Sequence, residues 1–283
     1  MTWSDAEGSR MARGPASGSA AEPVPSRPRI SRRPGPGSGY ARAPKPVPPS
    51  VWMLPDAAEA DEHGVVGLGA DLTPATLVDA YRRGIFPWPH PGLALPWFSP
   101  DPRGVIFVDE VHLPRRLRTR LRTSGWTATV DEAFAEVVEG CAQRPPTTGT
   151  WITQELSQAY ARLHQLGWAH SVEIWEGTDL VGGLFGIQVG GVFTGESMFH
   201  RRSDASKAAL VETVARLAEA GAALLDVQLV TPHLQSLGAV ELPRDRFLEL
   251  LTEHRDRICR LPTVRGRVDR LTSTQTDGPQ AGT

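Results

Sequence analysis

Two apolar segments that flank the pair Gly190-Gly191 constrain the fold of this chain more than any other feature. Residues 180–189 and 192–199 are rich in β-branched and aromatic side chains, and two glycines between such segments are typical of a β-hairpin turn. Further strand patterns occur at residues 170–176, 224–230 and 240–242, and helical patterns at 206–220, 231–237 and 244–255. This mixture of strands and helices predicts a mixed α/β (α+β) fold with a central sheet and helices on its faces.

Three helices with clear N-terminal caps are predicted earlier in the chain. Thr73 is a suitable cap with Pro74 in the first helical position, and Gly84 is expected to end that helix. Asp131 and Thr153 are expected to cap the next two. Residues 84–103 are dense in aromatic residues and prolines, which predicts a rigid, irregular surface rather than helix or strand.

The first fifty residues differ in composition from the rest of the chain. They hold ten of the 25 prolines, together with many Gly, Ser and Ala residues, and cannot supply a hydrophobic core. The last twenty or so residues are again polar. We therefore expect a disordered leader at residues 1–50 and a disordered tail at residues 261–283.

Charge is unevenly distributed along the chain. Residues 1–50 carry eight Lys or Arg and three Asp or Glu, whereas the remainder carries 22 basic and 29 acidic side chains. An acidic body does not coat nucleic acid indiscriminately, so any such contact has to come from a local patch. The two cysteines lie far apart, and no apolar segment is suited to a signal peptide or a membrane span. These features predict a cytoplasmic protein.

Three polar side chains interrupt the apolar strand patterns of the second half. Asp226 and Gln228 lie two residues apart, so they are expected to leave the same face of a strand, roughly 6–7 Å apart. Glu196 lies in an otherwise apolar arm of the hairpin. Burying such groups is costly unless they are hydrogen-bonded or used in chemistry. The pattern alone leaves open a satisfied buried polar pair or a reactive site.

Residues 113–123 are predicted to form a short basic helix. Its apolar positions recur every four residues and supply a core stripe, namely Leu113, Leu117 and Leu121. Three arginines follow one line along another side, namely Arg115, Arg118 and Arg122. No acidic residue occurs between positions 111 and 130. The stripe is either an ordinary solvated face or a phosphate-binding surface.

A metal site is not expected from the sequence. The histidines of the second half are scattered, with no partner at ligand spacing: His164, His170, His200 and His233. Neither a phosphate-binding Walker loop nor the Gly-x-Ser-x-Gly turn of many hydrolases occurs.

Eight segments, taken in order, resemble one known family. They are Gly67-Leu-Gly-Ala-Asp-Leu-Thr-Pro74, Ala80-Tyr-Arg-Arg-Gly-Ile-Phe-Pro-Trp88, Trp97-Phe-Ser-Pro-Asp-Pro-Arg103, Gly149-Thr-Trp-Ile-Thr153, Ala169-His-Ser-Val-Glu-Ile-Trp175, Leu180-Val-Gly-Gly183, Gly195-Glu-Ser-Met-Phe199 and Ser236-Leu-Gly-Ala239. Together they resemble the leucyl/phenylalanyl-tRNA–protein transferase family over about residues 51–255. Each segment alone is a weak signal, and the order of all eight makes the resemblance specific.

The resemblance implies a cytoplasmic bacterial enzyme. We also expect a monomer with no membrane partner, although the oligomeric state does not follow from the sequence. It implies a small N-terminal domain at residues 51–103 and an acetyltransferase-like (GNAT-like) catalytic domain at residues 104–260. Such an enzyme transfers Leu or Phe, and Met less well, from aminoacyl-tRNA to the N-terminal Arg or Lys of an acceptor protein. The product carries a signal for Clp-dependent degradation. No metal or nucleotide cofactor is implied, because the ester of the charged tRNA supplies the driving force.

The resemblance also implies roles for particular residues. Asp226 orients Gln228 beside the attacking amine, whether or not it also relays a proton, and Glu196 meets the α-ammonium of the donor amino acid. Three apolar side chains form the donor pocket, namely Leu184, Phe193 and Met198. Two tryptophans, Trp88 and Trp151, hold the terminal adenosine of the tRNA by stacking, which tolerates any base. The basic helix with Arg115, Arg118 and Arg122 contacts phosphates of the acceptor stem.

The sequence departs from the family pattern in a few places, and other functions stay open. Val227 stands where the family has a cysteine, Phe98 where a second tryptophan is frequent, and Thr231 where some relatives have asparagine. One alternative is an acetyl-CoA-dependent N-acyltransferase on the same kind of sheet, and the other is a non-catalytic tRNA-binding protein. The preferred donor and the residues that read the acceptor's Arg or Lys do not follow from the sequence.

Overall fold

The computed structural model of the chain describes residues 39–143 and 150–272. Its strands are β1 (Val65–Leu68), β2 (Phe86–Pro87), β3 (Pro96–Phe98), β4 (Arg103–Phe107), β5 (Thr127–Val130), β6 (Ala169–Glu176), β7 (Asp179–Val189), β8 (Val192–His200), β9 (Leu224–Gln228), β10 (Val240–Leu242) and β11 (Gly266–Arg267). The α-helices are α1 (Pro74–Arg82), α2 (Arg115–Thr123), α3 (Phe134–Ala142), α4 (Gln154–Gln165), α5 (Ala205–Glu219), α6 (Pro232–Gln235) and α7 (Arg244–His254).

One sheet of eight strands organises the chain, in the order β10-β4-β9-β8-β7-β6-β5-β11. Neighbouring strands are antiparallel except for β8 and β9, which run parallel where residues 192–194 pair with residues 224–226. The parallel pair follows from α5, which carries the chain from the end of β8 back to the start of β9. The predicted hairpin is β7 and β8, and the predicted mixed α/β class is confirmed.

Helices cover the two faces of this sheet. Strand residues alternate between the faces, so Leu184 and Phe185 belong to different hydrophobic clusters. Leu184 packs in the cluster that contains α5 and the leucines of α2, whereas Phe185 packs with side chains of α1, α3 and α4. A smaller cluster places Phe247 of α7 beside Val105 and Leu224. The central strands β7, β8 and β9 are therefore buried on both faces, which gives any polar side chain on them a dry environment.

The observed helix starts agree with the caps predicted at threonines but not with the cap predicted at Asp131. The hydroxyls of Thr73, Thr153 and Thr231 each accept a hydrogen bond from a backbone amide in the first turn of α1, α4 and α6. The predicted cap role of Asp131 is wrong. Its carboxylate instead accepts hydrogen bonds from the Ser171 amide and the His170 ring, and α3 begins after Ala133 without a side-chain cap.

The prediction of an irregular surface at residues 84–103 is wrong. Strands β1, β3 and β2 form a small antiparallel sheet within and beside this segment, and Arg103 begins β4 of the main sheet. Trp97 is only 1% exposed and donates its indole N–H to the carbonyl of Gly69 at 2.7 Å. The strands are two to five residues long, so the alternation that reveals a strand in sequence never develops.

Parts of the predicted leader and tail pack against the main body. The amide of Ala41 donates to the carbonyl of Leu261 at 2.7 Å, and the Trp168 indole donates to the carbonyl of Lys45 at 2.8 Å. Val268 and Leu271 are buried in the core cluster of α5. The predictions for residues 1–38 and 273–283 lie outside the described residues.

Among the helices that are described, none is both long and apolar enough to cross a membrane.

Candidate active site

Two β-bulges lie next to each other in the middle of the main sheet. On β8, Glu196 is the extra residue, because Ser197 pairs with Phe185 and Gly195 pairs with Gly186. On β9, Val227 is the extra residue between two partners of β4. Bulges bend a strand and re-aim its side chains, and they are common beside active sites. They place the side chains of Glu196, Asp226 and Gln228 where regular strands would not.

Glycines make both bulges possible. A Cβ on Gly186 would lie 2.2 Å from the carbonyl oxygen of Thr194 on the neighbouring strand. A Cβ on Gly104 would lie 2.9 Å from the backbone of Leu229. Because backbone atoms cannot yield as a flexible side chain would, both positions require glycine. Gly186 and Gly104 are therefore part of the site, although neither carries a functional group.

Glu196, Gln228 and Asp226 form one connected array. The side-chain amide of Gln228 donates to Oε1 of Glu196 at 3.3 Å, and the backbone N–H of Gln228 donates to Oδ1 of Asp226 at 3.0 Å. Gln228 has a φ of +65°, in the left-handed region that residues with a Cβ rarely adopt. All three side chains are buried, with relative exposures of 2%, 6% and 0%. The hydrogen bond to Asp226 helps hold Gln228 in its strained conformation.

Arg103 neutralises Asp226 with two parallel hydrogen bonds. Its Nε donates to Oδ1 at 2.8 Å and its Nη2 donates to Oδ2 at 2.7 Å. Thr194 donates to Oδ2 at 3.0 Å, so that Asp226 accepts four hydrogen bonds in all. A carboxylate offers about four lone-pair directions, and all are engaged here. Asp226 is therefore built to fix its neighbours in place rather than to accept a further proton.

The environment of Arg103 ties three parts of the chain together. Its Nη1 donates to the carbonyl of Gly84, directly after α1. Its guanidinium lies 5.0 Å from the ring centre of Phe86 and 4.4 Å from that of Phe247. Such contacts with aromatic faces stabilise a buried cation. A single arginine thus links the small N-terminal sheet, the main sheet and α7 to the array.

Glu196 is a buried carboxyl with two hydrogen-bond donors. Tyr160 of α4 donates to its Oε2 at 2.7 Å, and the Tyr160 hydroxyl lies 3.3 Å from that of Tyr81 of α1. Burial raises the pKa of Glu196 to about 7, while the hydrogen bond from Tyr160 opposes the increase and the charge of Asp226 adds to it. Near neutral pH this carboxyl can therefore switch between a neutral form and an anion that pairs with a cationic ligand.

A second buried glutamate shares these properties but lies elsewhere in the sheet. Glu173 of β6 is fully buried, and Thr129 and Ser171 each donate a hydrogen bond of 2.5 Å to it. Burial raises its pKa to about 7, although the hydrogen bonds from Ser171 and Thr129 oppose this.

Within residues 39–143 and 150–272, no three His, Cys, Asp or Glu side chains form a group that could hold a metal ion.

The two tryptophans predicted to hold the tRNA and the three residues predicted to line the donor pocket pack in different hydrophobic clusters. Trp88 and Trp151 are half-buried and both pack against the cluster of α1, α3 and α4, the cluster on the side of Tyr160. Trp88 also contacts Phe98 edge to face, with ring centres 5.3 Å apart. Leu184 and Phe193 are fully buried in the cluster of α5, and Met198 packs against it. That cluster also holds Leu225 and Val227, the strand neighbours of Asp226. Tyr160, the partner of Glu196, packs in the other cluster, so the three predicted pocket residues lie across the sheet from the Glu196 carboxyl.

The basic helix is confirmed as α2, with Leu117 and Leu121 buried and most of its arginines exposed. Only part of the predicted line of arginines borders a cleft. An open cleft of about 550 Å³ is lined by Arg115, Arg116, Thr119, Arg120, Thr123 and Asp204, whereas Arg118 and Arg122 lie outside it. Asp204, which precedes α5, approaches Arg120 at 4.0 Å. The sequence near α2 contains no acid, and the fold brings one from about eighty residues away.

Comparison with known proteins decides the family. Residues 105–252 match the family model described as leucyl/phenylalanyl-tRNA protein transferase, and residues 70–101 match the one described as its N-terminal domain. This chain belongs to the leucyl/phenylalanyl-tRNA–protein transferase family. The predicted resemblance is thereby confirmed, and the family is one of aminoacyltransferases.

Three relatives illustrate the degree of similarity, and each bears the name leucyl/phenylalanyl-tRNA–protein transferase. The protein of Stutzerimonas stutzeri (strain A1501) is 50% identical over 203 residues, which are 71% of this chain and 90% of that relative. That of Shewanella sp. (strain W3-18-1) is 46% identical over 72% of this chain and 86% of its own length. That of Chromohalobacter salexigens is 53% identical over 68% of this chain and 75% of its own length.

Solved structures show only weak likeness. L-PGS from Bacillus licheniformis has a TM-score of 0.34 at 12% identity and covers 52% of this chain and 48% of its own. A GCN5-related N-acetyltransferase from Kribbella flavida has a TM-score of 0.33 at 15% identity and covers 60% of this chain and 61% of its own.

Sequence reasoning missed several residues that build the site. In the sequence Arg103 is only the last residue of a family segment, and no pattern distinguishes Thr194, Tyr160 or Tyr81, which all form hydrogen bonds in the site. A signal for Arg103 did exist. A buried aspartate in an apolar strand needs a cationic or hydrogen-bonding partner, and an arginine in a segment dense in aromatic residues is a candidate for one.

Proposed function

We propose that this protein transfers Leu or Phe, and Met less well, from aminoacyl-tRNA to the N-terminal Arg or Lys of an acceptor protein. The observation that carries the proposal is the connected array of Glu196, Gln228 and Asp226, buried at two adjacent bulges and clamped by Arg103. Family membership supports the same reaction, because relatives up to 53% identical bear the name of this transferase.

In the proposed reaction the amine of the acceptor attacks the ester carbonyl of the charged tRNA. A peptide bond forms, the ester C–O bond breaks, and the proton lost by the amine ends on the released ribose oxygen. Gln228 directs its amide N–H to Glu196, which leaves its amide oxygen to accept a hydrogen bond from the attacking amine. Asp226 is a positioning residue, because Arg103, Thr194 and the Gln228 amide already engage its oxygens.

Glu196 has the properties needed to hold the α-ammonium of the donor amino acid. It is the acidic member of the array whose pKa lies close to neutrality, and Tyr160 fixes its orientation. A cation placed beside it would favour the ionised form and gain a charge-assisted hydrogen bond in a dry environment. The donor's side chain is proposed to lie in an apolar pocket beside Glu196. Leu184, Phe193 and Met198 pack in the cluster of α5, on the face of the sheet opposite Tyr160, and are not assigned to the walls of that pocket. A pocket that accepts both Leu and Phe has to be permissive.

Two further surfaces are proposed to hold the tRNA. Trp88 and Trp151 are half-buried, so each keeps part of its ring available for stacking on the terminal adenosine. The arginines of α2 are proposed to contact phosphates of the acceptor stem. Phosphate contacts carry no base information, which would let one enzyme use tRNAs of different sequence.

The proposed setting is the cytoplasm, with the protein acting as a monomer and its product marked for Clp-dependent degradation. Two free cysteines, Cys141 and Cys259, are compatible with a reducing compartment. The acceptor's basic residue is expected to meet an acidic group near the array, since its charge has to be balanced on binding.

A transfer assay tests the proposal directly. Purified protein is incubated with phenylalanyl-tRNA and a peptide that begins with Arg, and in parallel with a matched peptide that begins with Asp. Extension of only the Arg peptide by one Phe residue is expected. Acetylation of the peptide when acetyl-CoA replaces the tRNA would favour the acyltransferase alternative. Binding of tRNA without any product would favour a non-catalytic role.

A further inference from the structure

A second cleft, unrelated to the array, is lined by an unusual concentration of arginines. It has a volume of about 320 Å³ and lies between the segment 42–44, the residues that follow α7 at 255–260, and the turn residues Gly167 and Gly190. Five arginines contribute to its lining, namely Arg42, Arg82, Arg255, Arg257 and Arg260. The described residues that line this cleft include none of those assigned above to catalysis or to tRNA contacts.

Positive charge exceeds negative charge around this cleft. Among the described residues that line it, the five arginines are accompanied by one carboxylate, that of Asp256, which pairs with Arg82 at 2.6 Å. Outside the lining, Glu253 of α7 pairs with Arg257 at 3.5 Å. Arg42 donates to the backbone carbonyl of Gln165 and Arg255 to that of Arg82. A carbonyl satisfies a hydrogen bond but does not neutralise a full positive charge. The cleft is therefore cationic in a chain whose net charge is −2.

Arg255, one of the arginines that line this cleft, has a hydrogen-bond donor that is not satisfied. Its Nε is buried and finds no hydrogen-bond partner among the residues that the structure describes, although its Nη1 donates to the carbonyl of Arg82 at 3.0 Å. An unpaired buried donor on a cation is costly, so it calls for a partner such as a water molecule or an ion. Arginine presents its donors in a planar fork that fits the oxygens of a phosphate.

We propose that this cleft binds a phosphate-bearing ligand. A dianionic phosphate fits better than a single carboxylate, because the lining holds five arginines and one acid. The half-buried ring of Trp168, fixed by its bond to the carbonyl of Lys45, offers an apolar surface next to the arginines. The phosphate comes either from a free nucleotide-like compound or from the backbone of a bound tRNA. The proposal does not depend on the transfer reaction.

Calorimetric titration with inorganic pyrophosphate, and separately with AMP, tests the proposal at low ionic strength. The test variant is Arg42→Gln with Arg257→Gln, since both side chains are largely exposed and the fold should tolerate the change. Arg246→Gln is the matched control, because Arg246 is an exposed arginine of α7 that pairs with Glu249 away from the cleft. Arg115→Gln with Arg116→Gln controls for anion binding at α2.

The expected result is one site per chain in the unmodified protein, weakened about tenfold or more in the double variant and unchanged in both controls. Displacement of pyrophosphate by uncharged tRNA would identify the nucleic-acid backbone as the source, and no displacement would identify a free phosphate compound. The proposal is overturned if neither probe binds, if the double variant binds as well as the parent, or if only the α2 control loses binding.

Discussion

The guanidinium of Arg103 and the carboxylate of Asp226 face each other across strands β4 and β9 with two parallel hydrogen bonds, and neither side chain is more than 1% exposed. The two residues are 123 positions apart in sequence. This ion pair fixes the end of β9 from which Gln228 reaches Glu196. The arrangement supports the proposal that Asp226 is a positioning residue and that Glu196 and Gln228 meet the substrates.

Removing Arg103 is expected to damage both stability and transfer. Arg103→Met leaves Asp226 buried without its counter-charge, which costs about 3–5 kcal/mol in comparable cases. Arg103→Met combined with Asp226→Asn removes the stranded charge, so its free energy of unfolding should recover part of that loss while transfer stays low. Urea unfolding and initial transfer rates measure the two effects. Equal stabilities of the single and the double variant would show that the ion pair does not hold this region together.

The backbone conformation of Gln228 allows the energetic cost of its positive φ to be measured separately from the contribution of its side-chain amide to transfer. Gln228→Gly and Gln228→Ala both remove the amide that bonds Glu196, so both are expected to lower the transfer rate roughly 10²-fold with little change in tRNA binding. Only glycine relieves the cost of a φ of +65°, so the glycine variant should be more stable than the alanine variant by about 1 kcal/mol. Unchanged turnover in both variants would exclude the amide from the mechanism.

Two buried glutamates with a pKa of about 7 provide a matched pH experiment. Below that pH the Glu196 carboxyl is neutral and cannot pair with the donor's ammonium group. The apparent KM for phenylalanyl-tRNA is therefore expected to fall about tenfold between pH 6 and pH 8 for a single group titrating near 7. Glu196→Gln should flatten this dependence, whereas Glu173→Gln should retain it, because Glu173 lies on β6 among Thr129 and Ser171. A profile that is flattened by the Glu173 variant instead would contradict the role of Glu196.

Charge reversal on α2 tests which of its arginines bind the tRNA. Arg115→Glu with Arg116→Glu changes two residues that line the cleft of this helix, and Arg118→Glu with Arg122→Glu changes two that do not. We expect the first pair to weaken tRNA binding more, and to reduce the slope of log K against log salt by about one unit for each phosphate that is no longer neutralised. If neither pair alters the slope, α2 presents only a solvated face.

Local patterns in the sequence predict much of the fold. The hairpin of β7 and β8, the threonine caps of α1, α4 and α6, and the strand that carries Asp226 all follow from interactions within a few residues. The strands between residues 84 and 103 do not, because each is short and gains its stability from partners across the small sheet. Trp97, for example, is buried by long-range packing that no local alternation shows.

The sequence points to the polar residues of the array but not to their geometry or to the residues that hold them. A family segment contains Glu196, an interrupted apolar strand pattern points to Asp226 and Gln228, and simple strand alternation places these two on one face. The structure instead uses a bulge at Val227 and a left-handed Gln228, both of which depend on Gly104 of a neighbouring strand. Such pairings are decided by strand register and helix docking, which single-residue patterns do not encode.

The cleft of α2 gives a second example of a long-range pairing. The acidic partner of Arg120 is Asp204, which lies far away in sequence and reaches the helix only because α5 docks beside α2. The local sequence around Arg120 contains no acid, so it predicts an unbroken basic stripe. The folded chain instead places one carboxylate among the arginines.

The position of a bound donor analogue tests the central claim most directly. A crystal structure would be determined with phenylalanine joined to adenosine by an amide in place of the labile ester. We predict the α-ammonium within hydrogen-bonding distance of Glu196 and the acyl carbonyl beside Gln228, on the face of the sheet that carries Tyr160. An analogue bound with its amino acid away from Glu196 and Gln228 would contradict it.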